Sequence, residues 1–291
     1  MLAPLDNETV FKKAFTNKIV FTQFVKDIFG VEVEVDKIET EKKYEPKAGF
    51  IDLAIDIFAE TTDHRFIIEI QRIDYDHNFD RFLHYFLQTI TEQQKSSKDY
   101  TIKQDVLAVV ILTHPYLINR KTGEAIQDNV MFLDFDLKNL KGELIKMWGH
   151  NLTFLNPHPK YEDPATPERF NDWLKLIQES LKKEEEQKIK LTLNLNNKGI
   201  SKVVEIIDFA KMTPKERRLM KIAEGRKIMK AKTVDKLLRT QEELEQTHEE
   251  LEQKNKALID SAKLMKKLGA TIEQIQQSTG LTVEEIKNIN V

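Results

Sequence analysis

FIDLAIDIFAETTDHRFIIEIQ, residues 50–71, reads as two strands joined by a short turn. Side chains alternate along a strand, so Ile51, Leu53, Ile55 and Ile57 share one face of the first strand and Asp52, Ala54, Asp56 and Phe58 the other. In the second strand Phe66, Ile68 and Ile70 form the apolar face, with Ile67, Glu69 and Gln71 opposite. If Glu60 pairs with Arg65 across the turn, the register sets Asp56 against Glu69, with Cβ atoms about 4.5–5.5 Å apart.

Like charges facing each other on a sheet are unfavourable and need a compensating partner. A divalent ion is the simplest one. Mg²⁺ accepts one or two carboxylates, keeps several waters and borrows further oxygens from phosphate, which points to phosphodiester chemistry. The same residues also fit an antiparallel hairpin whose acidic face is simply solvated.

An acidic residue followed about a dozen positions later by E-x-Q, on a hairpin between helices, resembles the PD-(D/E)XK nuclease superfamily. More narrowly, DNETVFKKAF (6–15), IDLAIDIFAE with IIEIQ (within 51–71) and LMKKLGATIEQIQQSTGLTVEEI (264–286) resemble a bacterial family of recombination-promoting nucleases and transposases. The resemblance implies an α/β fold with a restriction-endonuclease-like core, a mixed sheet flanked by helices; after that core the sequence itself reads as a helical, partly coiled-coil C-terminal extension. It implies a DNA endonuclease using Mg²⁺ or Mn²⁺, linked to recombination or mobile elements. Carried over by residue, the first acidic ligand falls on Asp56, with Asp52 as its rival, the second on Glu69, and the last motif position on Gln71. Lysine is common at that last position in the wider superfamily. Glutamine carries no charge and cannot act as a general base as a neutral lysine does, although it can orient a water. The resemblance also singles out Arg81 and Tyr85, and it allows Glu8 to reach the metal site. Glu8 equally suits the first turn of a helix, where a carboxylate favours the dipole.

The chain has 291 residues, 32% of them charged, no cysteine and a formal net charge of −3. That length allows one large domain with a smaller appendage. The absence of cysteine excludes disulfides, thiolate zinc sites and a cysteine nucleophile. No run of about 18 apolar residues is present, and MLAPLDNETV lacks the pattern of a signal peptide, so a cytoplasmic protein is expected, at the bacterial nucleoid when bound to DNA.

Around the hairpin, residues 7–29 have helical spacing, and VEVEVDKIE within 31–43 alternates as a strand. A helix over 77–95 is expected to bury Phe79, Phe82, Leu83, Phe86, Leu87 and Ile90, while Arg81 and Tyr85 share another face. DVLAVVILT (105–113) reads as a buried strand parallel to a neighbour, and 130–137 and 152–156 extend the sheet. Lys12 and Lys13 suit either phosphate contact or solvent.

Texture changes near 156, dividing the chain into a nuclease-like domain (1–155), a helical region (156–235) and a coiled coil with a short helical tail (236–291). Residues 211–236 hold ten lysines and arginines against three acids. Arg217, Arg218, Lys221, Arg226, Lys227 and Lys230 are candidate phosphate contacts, the alternative being a solvated helix. Leu237, Leu244, Leu251 and Leu258 recur every seven residues, so a homodimer through a coiled coil is possible, though the other seam position is mostly polar. Besides a nuclease, the sequence fits a catalytically inactive DNA-binding or protein-interaction module on a degenerate nuclease fold, or an interaction protein acting through its C-terminal helices.

Overall fold

The computed structural model describes residues 1–44, 53–72, 78–94, 100–113, 117–119, 124–125 and 128–289. Asp52 lies outside the described residues. By its contacts the chain divides into two units, Met1–Lys230 and Ala231–Val291.

Two helices open the first unit, α1 (Glu8–Phe15) and α2 (Lys18–Phe29). The single helical region expected over 7–29 is interrupted because Asn17 adopts an extended backbone and caps the second helix, as Asn7 caps the first. Strand β1 (Ile38–Tyr44) precedes the hairpin β2 (Leu53–Glu60) and β3 (His64–Gln71). The expected strand is therefore shorter at its start. Val35 is buried in the core, but the ladder to β2 begins only at Ile38↔Ala59.

Helix α3 (Asn78–Thr91) crosses over to β4 (Asp105–Leu112), which runs parallel to β3, as the order strand, helix, strand requires. Small hairpins follow, β5 (Leu117–Asn119) with β6 (Glu124–Ala125) and β8 (Leu137–Lys138) with β9 (Leu144–Ile145), flanking β7 (Val130–Asp134). The last strand, β10 (Asn151–Leu155), inserts between β4 and β7, giving a six-stranded mixed sheet in the order β1-β2-β3-β4-β10-β7.

Alternation along the strands supplies each face with its own core. On one side Ile57, Phe66, Ile68, Val109 and Ile111 pack with α1, α2, α4 (Glu168–Leu181) and α6 (Lys198–Ile206); the short α5 (Ile189–Thr192) lies between the last two in sequence. On the other side Phe58, Ile67, Ala108 and Val110 receive Phe82, Phe86 and Ile90 of α3. Leu87, expected in that stripe, is 41% exposed, and Thr89 is buried in its stead. Trp173 of α4 is fully buried against Phe15 and Phe24 and donates Nε1–H to Asp27 Oδ2 at 2.8 Å. Helices from beyond residue 155 thus complete the core under the sheet.

Helix α7 (Pro214–Lys267) belongs to both units. In the second, Leu237, Leu244, Leu251 and Leu258 are 38–67% exposed. The helix end packs with α8 (Ile272–Thr279) and α9 (Val283–Asn288) around Ala262, Ile275, Leu281 and Ile286. Capping boxes at Thr271/Gln274 and Thr282/Glu285 start both short helices, as their spacing predicts. Among the described residues no helix is long and apolar enough to cross a membrane.

Candidate active site

The β2–β3 ladder has the register expected from Glu60↔Arg65 and runs to Ile57↔Ile68, where backbone pairing stops. Asp56 and Glu69 come next, and their side chains take over. Glu69 Oε1 accepts the Asp56 N–H at 2.7 Å, and Asp56 Oδ2 accepts the Ile70 N–H at 3.3 Å. Each acid is wired to the other's strand.

The opposite edge of β2 is distorted at the same point. Pairs Thr40↔Ile57 and Lys42↔Ile55 flank Glu41 and Asp56, and Glu41 has φ 54°. A left-handed backbone is rare for a residue other than glycine. Strict alternation fails here, which corrects the expected face of Ile55: it lies with Phe58 in the α3-side cluster, whereas Ile57 lies in the other.

Glu69 is 4% exposed. Burial first, and then the charge of Asp56, push its pKa well above the ordinary value of 4.5. Burial also raises Asp56, opposed chiefly by the charge of Lys12, whose Nζ lies 3.8 Å from Asp56 Oδ1. Lys12 in turn contacts Glu8 Oε1 at 2.6 Å and Glu41 Oε1 at 2.9 Å. Burial opposes ionisation of Glu8, but Lys12 and then Arg72, 3.2 Å from Glu8 Oε2, outweigh it and hold the carboxyl below its ordinary value. Both Glu8 oxygens are therefore engaged by cations. Gln71, 2% exposed, accepts a hydrogen bond from Arg81, whose guanidinium lies 4.6 Å from the Phe82 ring and 5.8 Å from the Tyr85 ring.

These groups line a cavity of about 310 Å³. Asp56, Glu69 and Gln71 form part of its wall, with Glu8, Arg81 and Tyr85 beside them. Another part comes from the start of α7, through Ala223, Arg226, Lys227 and Lys230. That helix is fastened to the N-terminal region by a Lys227–Asp6 ion pair, by Lys13–Glu216 at 2.8 Å and by Asn7 Nδ2 donating to Met220 O at 2.9 Å. Three of the six basic candidates on this segment thus line the same cavity as the acid pair. Arg217, Arg218 and Lys221 do not line the cavity; Arg217 donates to Phe209 O at 3.1 Å and stacks on the Phe209 ring.

Asp56 and Glu69 each commit one oxygen to a backbone N–H, leaving Asp56 Oδ1 and Glu69 Oε2 as the second oxygen of each. Two carboxylates with access to water are a donor set that Mg²⁺ accepts. Among the described residues no group of three or more His, Cys, Asp or Glu is arranged to hold a metal ion. The sequence reading missed Glu41 and Arg72 as site residues. Arg72 follows the E-x-Q directly and was in plain view; Glu41 enters only through the break in the ladder.

A family model described as PD-(D/E)XK nuclease family transposase matches residues 6–236. No curated protein and no solved structure matches the chain.

Proposed function

The chain belongs to the PD-(D/E)XK nuclease family transposases, and on that premise we propose that it is a metal-dependent DNA endonuclease whose ion, Mg²⁺ or Mn²⁺, is held by Asp56 and Glu69. The observation carrying this reading is the acid pair itself, cross-linked to the backbone of adjacent strands and lining a cavity whose walls carry cations. Burying two carboxylates side by side is costly unless a cation compensates them. The bound ion would supply polarisation of the scissile phosphate and a water of lowered pKa.

The chain's own residues do the rest. Gln71 orients the attacking water, and Arg81, held against Gln71 and stacked by Phe82 and Tyr85, faces the phosphate. Arg226, Lys227 and Lys230 contact neighbouring phosphates, which matches the preference of a polyanion for a basic wall. In this reading residues 1–155 supply the acids, 156–235 complete the core and bring the basic face, and 236–291 pairs with a second copy through the leucine stripe. The protein would work in the bacterial cytoplasm, on DNA undergoing recombination or transposition.

A second reading, a DNA-binding module with a vestigial site, is favoured by two observations: position 71 carries no ionisable group, and both oxygens of Glu8 are engaged by cations. Incubating supercoiled plasmid with the protein and Mg²⁺, Mn²⁺ or EDTA, beside Asp56→Ala and Glu69→Ala, separates the two. Metal-dependent nicking lost in both variants supports the nuclease. Salt-sensitive binding without product supports the module.

A further inference from the structure

Lys12 has no part in the chemistry above, yet it stands among three carboxylates. Its Nζ is 2.6 Å from Glu8, 2.9 Å from Glu41 and 3.8 Å from Asp56, and the side chain is 16% exposed. Helix α1 presents it, and Glu41 meets it from the left-handed residue at the break in the β1–β2 ladder. The Asp56 oxygen nearest to Lys12 is Oδ1, the one not bonded to the Ile70 amide. That oxygen is the one a divalent ion would take from Asp56. An ammonium and a metal ion cannot share it without strong repulsion, because charges at about 4 Å interact strongly in a partly buried site.

We propose that Lys12 is a resident counter-ion that competes with the divalent cation for Asp56 and thereby sets the site's metal affinity. This rests on the reading that Asp56 is a metal ligand. Glu8 and Glu41 give the ammonium a place to stay when it yields Asp56, so the exchange leaves no buried charge unpaired. Lys12 also lines the cavity, together with Glu8, Glu41, Asp56 and Glu69. Lys12 is thus a positioning residue: it acts through Asp56.

The test is calorimetric titration of Mn²⁺ into the full-length, metal-stripped protein at one fixed pH, for wild type, Lys12→Met, Lys12→Arg and Asp56→Asn. Removing the competing charge should tighten Mn²⁺ binding about tenfold, the smaller end of what a neighbouring charge does to a carboxylate. Lys12→Arg should bind as wild type does, and Asp56→Asn should lose the site. Lys12→Gln, which keeps a hydrogen-bond donor toward Glu8, carries the same expectation as Lys12→Met should the latter fail to fold. A purely structural Lys12 would lower the melting temperature in EDTA and leave the affinity unchanged or weaker, and that result overturns the proposal while loss of binding in Asp56→Asn keeps the metal reading. Absence of Mn²⁺ binding in the wild type would overturn both.

Discussion

Glu69 accepts the backbone N–H of Asp56 at 2.7 Å, at the position where the β2–β3 ladder gives way to side chains. The reciprocal bond, Ile70 N–H to Asp56 Oδ2, closes the exchange. Side-chain oxygens satisfy amides that would otherwise be orphaned in a buried strand, so the two acids hold their geometry without any ion. The fold thus pre-organises the pair and bears the cost of their mutual repulsion.

That cost is visible as pH dependence. Both acids have raised folded-state pKa values, Glu69 through burial and then Asp56, and Asp56 through burial. A raised carboxyl favours proton uptake by the folded state, so its stabilising contribution is whole below the unfolded value and is lost as pH rises through the folded value. In EDTA the wild type should therefore lose stability from about pH 4.5 upward relative to Glu69→Gln, whose amide still accepts the Asp56 N–H. Thermal melts of both proteins across pH read this directly, each kcal/mol appearing as about 2–4 °C. Parallel curves would mean that Glu69 is ionised in the folded, metal-free protein.

Asp56→Asn keeps an oxygen for the Ile70 amide and removes the charge. The variant should fold with near wild-type stability and nick plasmid about a hundredfold more slowly or worse, the scale of losing one essential electrostatic group. Asp52→Asn should nick at close to the wild-type rate. Retained nicking in Asp56→Asn with loss in Asp52→Asn would transfer the ligand role to Asp52.

The acid pair was legible because a short turn determines the β2–β3 register from local sequence, and that register runs to Ile57↔Ile68, leaving Asp56 and Glu69 next in line even though alternation breaks at Ile55. Its cationic surroundings were only partly so. Lys12, on a helix distant in sequence, looks like any exposed lysine until α1 packs beneath the sheet; Arg226 and Lys230 are two among ten basic residues until Lys227 ties α7 to Asp6. Periodicity placed the sheet and α3 but misjudged Ile55 and Leu87, each at a point where tertiary packing overrides a regular face. The change of texture at 156 is real in composition, yet it does not mark the end of the core, because the buried Trp173 packs against both Phe15 and Phe24.

That packing predicts how the chain tolerates truncation. A fragment ending at residue 155 loses Trp173, Leu174, Ile177, Ile200 and Val203 from the core under the sheet. It should show no cooperative melt and no near-ultraviolet circular dichroism, while 1–230 should melt cooperatively. Within the intact chain, Trp173→Ala should cost about 3–5 kcal/mol in urea unfolding, as large core truncations do. A cooperative melt from 1–155 would show that the later helices are an accessory layer.

The start of α7 makes a sharper demand. Arg226 and Lys230 line the cavity beside the acidic strands, whereas Lys221 is exposed on the same helix outside it. Each phosphate contact removed should lower the slope of log affinity against log salt by about 0.9 on duplex DNA, so Arg226→Ala with Lys230→Ala should lower it by nearly two. Lys221→Ala, the same charge change as either single substitution, should leave the slope close to wild type. The measurement is fluorescence anisotropy with Asp56→Asn as the non-cleaving background, over a range of salt. Equal effects at all three positions would mean that α7 binds DNA as a diffuse basic surface, and the acid pair would then need another element to bring a phosphate to it.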